Sequence, residues 1–287
     1  MDDAIVLAAV AGVFWALNIV IVRWAIGRSQ VPALAGAFVG VGLAALVAVV
    51  IATASGHGPP GGSDLARFGL VGAIAPGSSQ GLFVASIGAI GPSRSSVLIG
   101  TSPMFSVLLA IVFLDESWQL AIIAGTVLTV LGGALISWEP GEGFRRLGVL
   151  FAIATALTFA VRDVTARQFT TETELSSWWA GAVVLGAAAL VLAAMLAVQQ
   201  RRGAVRAVRD SLPHFVPSGL MIGLALPVLL EALDRGQVGV VAPLSNAVQH
   251  IAVVVLGAAV FGAGERTPRV LVALVLIVVG GSLIAGA

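Results

Sequence analysis

Gly77-Ser78-Ser79-Gln80-Gly81 has the G-x-S-x-G spacing of a nucleophile elbow, a turn that lifts a serine hydroxyl toward a general base. With His250 as that base, the pattern would describe an intramembrane serine hydrolase. The elbow, however, needs a strand before its serine and a helix after it, and this stretch lies inside a long apolar run. Gly77 and Gly81 also make a G-x-x-x-G helix-packing face, and Gly219 and Gly223 repeat the spacing later in the chain. The other candidates for chemistry are polar and charged groups in apolar surroundings. Arg162, Asp163 and Arg167 lie in FAVRDVTARQF (159–169), Glu231 lies in ALPVLLEALDRG (225–236), and His250 follows Gln249. Groups so placed bind polar substrates or carry protons. Metal binding lacks a ligand pattern, since His57, His214 and His250 are far apart and none has H-E-x-x-H spacing.

The composition defines the elements that must hold these groups. With 287 residues, 59% of them hydrophobic and only 10% charged, and a mean hydropathy of +1.06, the chain reads as an all-α integral membrane protein. All fifteen basic residues are Arg, and the sequence has no Lys, Cys or Tyr. The missing Cys excludes disulfides, thiolate metal sites and a Cys nucleophile. The missing Lys excludes a Walker A phosphate loop and a Schiff base, so the chain cannot drive pumping by binding nucleotide in that way. No cofactor and no nucleic-acid partner are expected; the expected partners are a small-molecule substrate and the bilayer of the cell (plasma) membrane. The first apolar run follows Asp2 and Asp3 rather than a basic segment and has no small-residue cleavage site, so it is expected to stay as a helix.

A helix needs about 20 mostly apolar residues to cross a hydrocarbon core of roughly 30 Å. Breaking the chain at its polar, Pro and Gly clusters predicts ten spans: 4–23, 32–54, 66–89, 94–114, 118–138, 147–168, 176–198, 214–234, 238–261 and 268–286. The longest connections are the Gly/Pro loop 55–64 and the Arg-rich loop 199–211, too short for a separate soluble domain. Trp24, Trp118, Trp138, Trp178 and Trp179 fall near span ends, where an indole favours the water interface.

Ten spans divide into two fives. Trp15 aligns with Phe159, Arg23 with Arg167, Gly91 with Gly236, Glu116 with Glu265, and Gly132-Gly133 with Gly280-Gly281. VLTVLGGALIS (127–137) against VLIVVGGSLIA (275–285) is the clearest match. An odd number of spans per repeat inverts the second copy, so residues 1–140 and 141–287 are expected to be two inverted five-helix repeats, an architecture common in secondary transporters.

Trp15-Ala16-Leu17-Asn18 in the first span, Ser102-Pro103 in the fourth, the acidic turns at Asp115-Glu116 and Gly264-Glu265, and the double glycines of the fifth and tenth spans together resemble the EamA-type branch of the drug/metabolite transporter superfamily. The resemblance covers nearly the whole chain and implies that family's fold. Ala16 stands where the family usually has Gly, and the ninth span offers Ser245, Asn246 and Gln249 instead of a Ser-Pro step. The expected function is export of a small polar organic solute by alternating access around a central cavity, by a monomer or weak homo-oligomer. A non-transporting membrane subunit is a further alternative to the hydrolase.

The cavity is expected to be lined by Trp15, Asn18, Ser79, Gln80, Arg162, Glu231, Asn246 and Gln249, with Asp163, Glu231 and His250 as the groups able to couple protons. Neighbours on a helix point about 100° apart, which predicts that Asp163 does not pair with Arg162, while Asp163 and Arg167 at i, i+4 are placed so that they can. Arg162 aligns with Asn18, so it is expected either in the cavity beside Glu231 or a substrate anion, or at headgroups with Arg167 if the sixth span ends early. Glu231 is expected deep enough in the eighth span to need a partner, with Asp234 and Arg235 marking that span's exit, and Asp115-Glu116 and Glu265 end the fourth and ninth. His250 reads equally as a helix-packing residue.

Orientation gives opposed expectations. Eleven Arg (23, 28, 94, 145, 146, 201, 202, 206, 209, 266 and 269) adjoin one set of loops, and only Arg67, Arg167 and Arg235, or four with Arg162, adjoin the other. The positive-inside rule then puts both termini outside. Proteins of the resembled family usually keep both termini in the cytoplasm.

Overall fold

The computed structural model describes residues 2–28, 31–117, 119–137, 146–200, 203–261 and 268–287. Trp118, Trp138, Arg145, Arg201, Arg202, Gly264, Glu265 and Arg266 lie outside them. Every element described is helical. The first two spans are α1 (Asp2–Arg28) and α2 (Ala33–Ala54). The third is α3 (Gly62–Gly72), a π-helical turn (Ala73–Ser78) and α4 (Ser79–Ile90); the fourth is α5 (Pro92–Ile99) and α6 (Ser102–Phe113). Then come α7 (Leu120–Ser137), α8 (Arg146–Thr171), α9 (Ser177–Gln200), α10 (Ala204–Arg235), α11 (Val238–Phe261) and α12 (Pro268–Ala285). Among the described residues nine helical stretches are long and apolar enough to cross a membrane, and Leu120–Ile136 is a shorter apolar helix. Large apolar side chains on their outer faces, such as Leu46, Val50, Leu190 and Val275, are more than half exposed, as lipid-facing residues must be.

Proline breaks two of the spans. Pro103 has no N–H for the carbonyl of Ile99 and its ring crowds that turn, so the helix restarts after Gly100 and Thr101. Ala75, just before Pro76, leaves the helix with φ −148° and ψ 126°. Gly91 joins α4 to α5 at φ 82°, a backbone open to glycine because it has no Cβ.

The expected Arg-rich loop 199–211 is mostly helix, since α10 starts at Ala204. Ala207, Ser211 and Phe215 recur every four residues on its buried face, while Arg206 and Asp210 form an exposed i, i+4 pair at 3.7 Å on the other. Counting apolar residues along the chain missed an amphipathic turn whose charges point away from the bundle.

Small residues set the helix contacts. Gly77 and Gly81 lie against Val191 and Met195 of α9, so the third span packs on the seventh. Gly219 and Gly223 lie against Gly40, Leu43, Ala44 and Val47 of α2, so the eighth packs on the second. Both G-x-x-x-G pairs are thus packing faces. Gly132 meets Ile277 and Ala273, and Gly280 meets Gly125 and Thr129, which joins α7 to α12 along their matching double-glycine segments. α1 sits against α10 and α11, and α8 against α4, α5 and α6.

Candidate functional site

Arg162 is the seventeenth residue of α8, and the helix continues nine residues past it, about 14 Å at 1.5 Å per residue. The span therefore does not end early, and Arg162 lies well inside it. Its Nε and Nη2 donate to Asp163 Oδ1 at 3.0 and 2.7 Å, and the two side chains are only 13% and 7% exposed. This corrects the expectation that neighbours 100° apart cannot pair. That rule describes Cβ directions, and the long Arg side chain folds back across the gap. Asp163 Oδ2 accepts from Ser106 Oγ of α6 at 3.0 Å, so both carboxylate oxygens are engaged in a site where an unpaired charge would be costly. The guanidinium also lies 5.2 Å from the ring of Phe159, within cation–π range, and Nη1 makes no hydrogen bond among the described residues.

Arg167 is not paired with Asp163. Its Nη1 donates to the carbonyls of Leu233 and Asp234, at 2.6 Å for Leu233. These are last-turn carbonyls of α10 with no partner in their own helix, and a cation there also complements the helix dipole.

Glu231 is one turn from the end of α10 and is not beside Arg162. Arg235 meets its Oε1 at 2.5 and 2.7 Å, and Ser177 Oγ of α9 donates to its Oε2 at 2.7 Å. Arg235 also reaches Asp3 of α1 at 3.5 Å. The position is half open, with side chains 49% and 30% exposed for Arg235 and Glu231. The expected Arg162–Glu231 pair is thus replaced by two separate ionic groups.

Asn18 accepts a 2.6 Å hydrogen bond from Ser218 Oγ of α10. One turn and a half earlier Gly12 lies against the carbonyl of Ser245 and the backbone of Gln249, which packs α1 on α11. Trp15, Gln80 and Gln249 are half-buried, and their side chains make no hydrogen bond among the described residues. Asn246 Nδ2 donates to Ala242 O at 3.0 Å, and His250 Nδ1 donates to Asn246 O at 2.7 Å with its ring against Gly133 of α7. His250 is therefore a helix-packing residue with its own backbone partner. Ser79 is fully buried and its hydroxyl turns to Pro76 O at 3.2 Å, at the start of α4 with helix on both sides. Neither member of the expected Ser79–His250 couple is directed at the other by its hydrogen bond.

Ser106, Ser177 and Ser218 were not among the sequence candidates, although each supports one. A lone serine in an apolar span was the available signal, but it does not name its partner. Glu116 also does more than end the fourth span. Asp115 adopts φ 51°, and the turn carries the Glu116 carboxylate to the N–H groups of Val238 and Gly239, at 2.7 and 2.9 Å, where it caps α11.

A solved crystal structure superposes with a TM-score of 0.78 over 98% of each chain at 19% identity, which establishes the shared fold. A protein of Streptantibioticus cattleyicolor described as "Probable terminal-alkyne amino-acid exporter" is 32% identical over 186 residues, covering 60% of this chain and 62% of the relative. Residues 3–138 match the model of the EamA-like transporter family, the segment that holds Trp15, Asn18, Ser102-Pro103 and the Asp115-Glu116 turn. Over that segment, just under half of its length, the chain is similar to the EamA-like transporter family.

Proposed function

We propose that this protein exports an α-amino acid, or a similar small zwitterion, across the plasma membrane by alternating access between two inverted halves, residues 1–140 and 141–287. The carrying observation is the buried Arg162–Asp163 pair inside α8, with an uncommitted Nη1 able to take a carboxylate. The relative's description supplies the amino-acid class. The inverted arrangement is supported by reciprocal packing. The third span lies on the seventh and the eighth on the second, and the fifth and tenth face each other. Trp15-x-x-Asn18 and Phe159-x-x-Arg162 occupy aligned places in the two halves, an aromatic ring three residues before a polar group. Asn18, Gln80, Asn246 and Gln249 would complete the polar lining, and one chain would suffice as the transporting unit.

Counterflow in liposomes containing only the purified chain tests this reading. Labelled leucine and propargylglycine, an α-amino acid with a terminal alkyne, should accumulate above protein-free vesicles, and Arg162→Gln should lower the rate at least about tenfold, the equivalent of about 1.4 kcal/mol of lost binding. Absence of flux for every α-amino acid tried would sink the proposal.

A further inference from the structure

We infer that Arg162 and Asp163 together form the headgroup site for the zwitterion, each binding one end of it while keeping the other as its partner, so that the site carries no net charge whether empty or loaded. The inference rests on the amino-acid reading above and adds a binding mode and a charge balance to it. In the empty site Arg162 and Asp163 neutralise each other at 2.7 Å. An uncompensated charge at this depth would resist every passage between inward and outward states. A paired one does not.

Each partner keeps capacity for a second bond. Arg162 has five N–H donors, and among the described residues only Nε and Nη2 donate, both to Asp163 Oδ1. Asp163 Oδ2 accepts from Ser106 alone among the described residues and so has a lone pair to offer an ammonium group. An α-amino acid carries its carboxylate and ammonium on one carbon, so two adjacent side chains of opposite charge match it. Carboxylate on Nη1 and ammonium on Oδ2 give a closed ring of four charges that sum to zero. Ser106 holds the carboxylate in place from α6.

Among the described residues, no titratable group of another helix hydrogen-bonds or ion-pairs with Arg162 or Asp163. α4 and α6 contain no charged residue. On α10, Glu231 and Arg235 bind each other and Asp234 adjoins them at the helix end, where Arg167 holds the last carbonyls. On α11, His250 is bound to its own backbone and packed on Gly133. Asp64 and Arg67 of α3 are engaged at the loop with Thr173 and Glu172, and Arg94 of α5 lies at the opposite end of its span.

Leucine counterflow under imposed gradients tests the balance. With an about tenfold potassium gradient clamped by valinomycin, the wild-type rate should change by less than about twofold, whereas one uncompensated charge crossing the full potential would shift it by up to about tenfold. A pH step across the vesicles should drive no accumulation. N-acetyl-leucine, which lacks the ammonium, and leucinamide, which lacks the carboxylate, should each compete at least about tenfold more weakly than leucine. Asp163→Asn leaves a lone cation and should make any remaining flux potential-dependent; the wild-type and analogue measurements decide the matter if that variant does not fold. Potential-dependent wild-type flux, accumulation driven by pH, or equal competition by either analogue would overturn the inference while leaving amino-acid transport intact. No flux of any zwitterion would remove the amino-acid reading and this one with it.

Discussion

The protein builds the same three-part group twice, at two levels of burial. Ser106–Asp163–Arg162 and Ser177–Glu231–Arg235 are each a carboxylate held by one serine hydroxyl and one guanidinium. The first is nearly closed off inside α8, and the second sits at the end of α10 with Arg235 half exposed. Burial makes the difference between them. In the buried group each partner must offset the other's desolvation, so removing one leaves a charge that neither water nor headgroups can reach. In the end group, water stands ready to replace a lost partner.

Five variants can break or sharpen this contrast. Asp163→Ala should have the largest effect, about 3–5 kcal/mol of stability from the stranded Arg162, read by thermal unfolding in detergent. An Asp163→Ala, Arg162→Met double variant should recover much of that loss, and failure to do so would mean that the pair matters for packing and not for charge. Ser106→Ala removes a hydrogen bond to a buried carboxylate and should cost about 1.5–3 kcal/mol by the same measurement. Glu231→Gln should cost less than about 1 kcal/mol, and Ser177→Ala less again, because both act at a half-open site. Molar salt should erase the Glu231→Gln difference and leave that of Asp163→Ala standing. If Glu231→Gln proves as damaging as Asp163→Ala, burial is not what separates the two groups.

The fold was largely legible because a bilayer demands long apolar helices, and all ten predicted spans correspond to helices or broken helices in the structure. The glycine pairs were legible as well, since G-x-x-x-G lets two backbones approach whichever helix is opposite. The start of α10 was missed because its residues alternate between buried Ala207, Ser211 and Phe215 and exposed Arg206 and Asp210, a pattern that mean hydropathy averages away. The site was legible only as a set of suspects. Arg162 and Asp163 stood out by their setting, but Glu231 stood out equally, and nothing along the chain distinguished a charge inside a helix from one a turn from its end.

Residue types and spacing alone determined that this is a helical membrane protein, which chemistries it lacks the side chains to perform, and which few polar groups must be explained. Those conclusions depend on solvation and on residue identity, which are local. Only the tertiary structure decided that Asp163 belongs with Arg162 and Ser106, that Arg167 caps α10, and that Glu116 caps α11 from 122 residues away. Such pairings depend on how two helices are set against each other and on which way a flexible side chain folds. Neither is encoded in the spacing of residues along one helix.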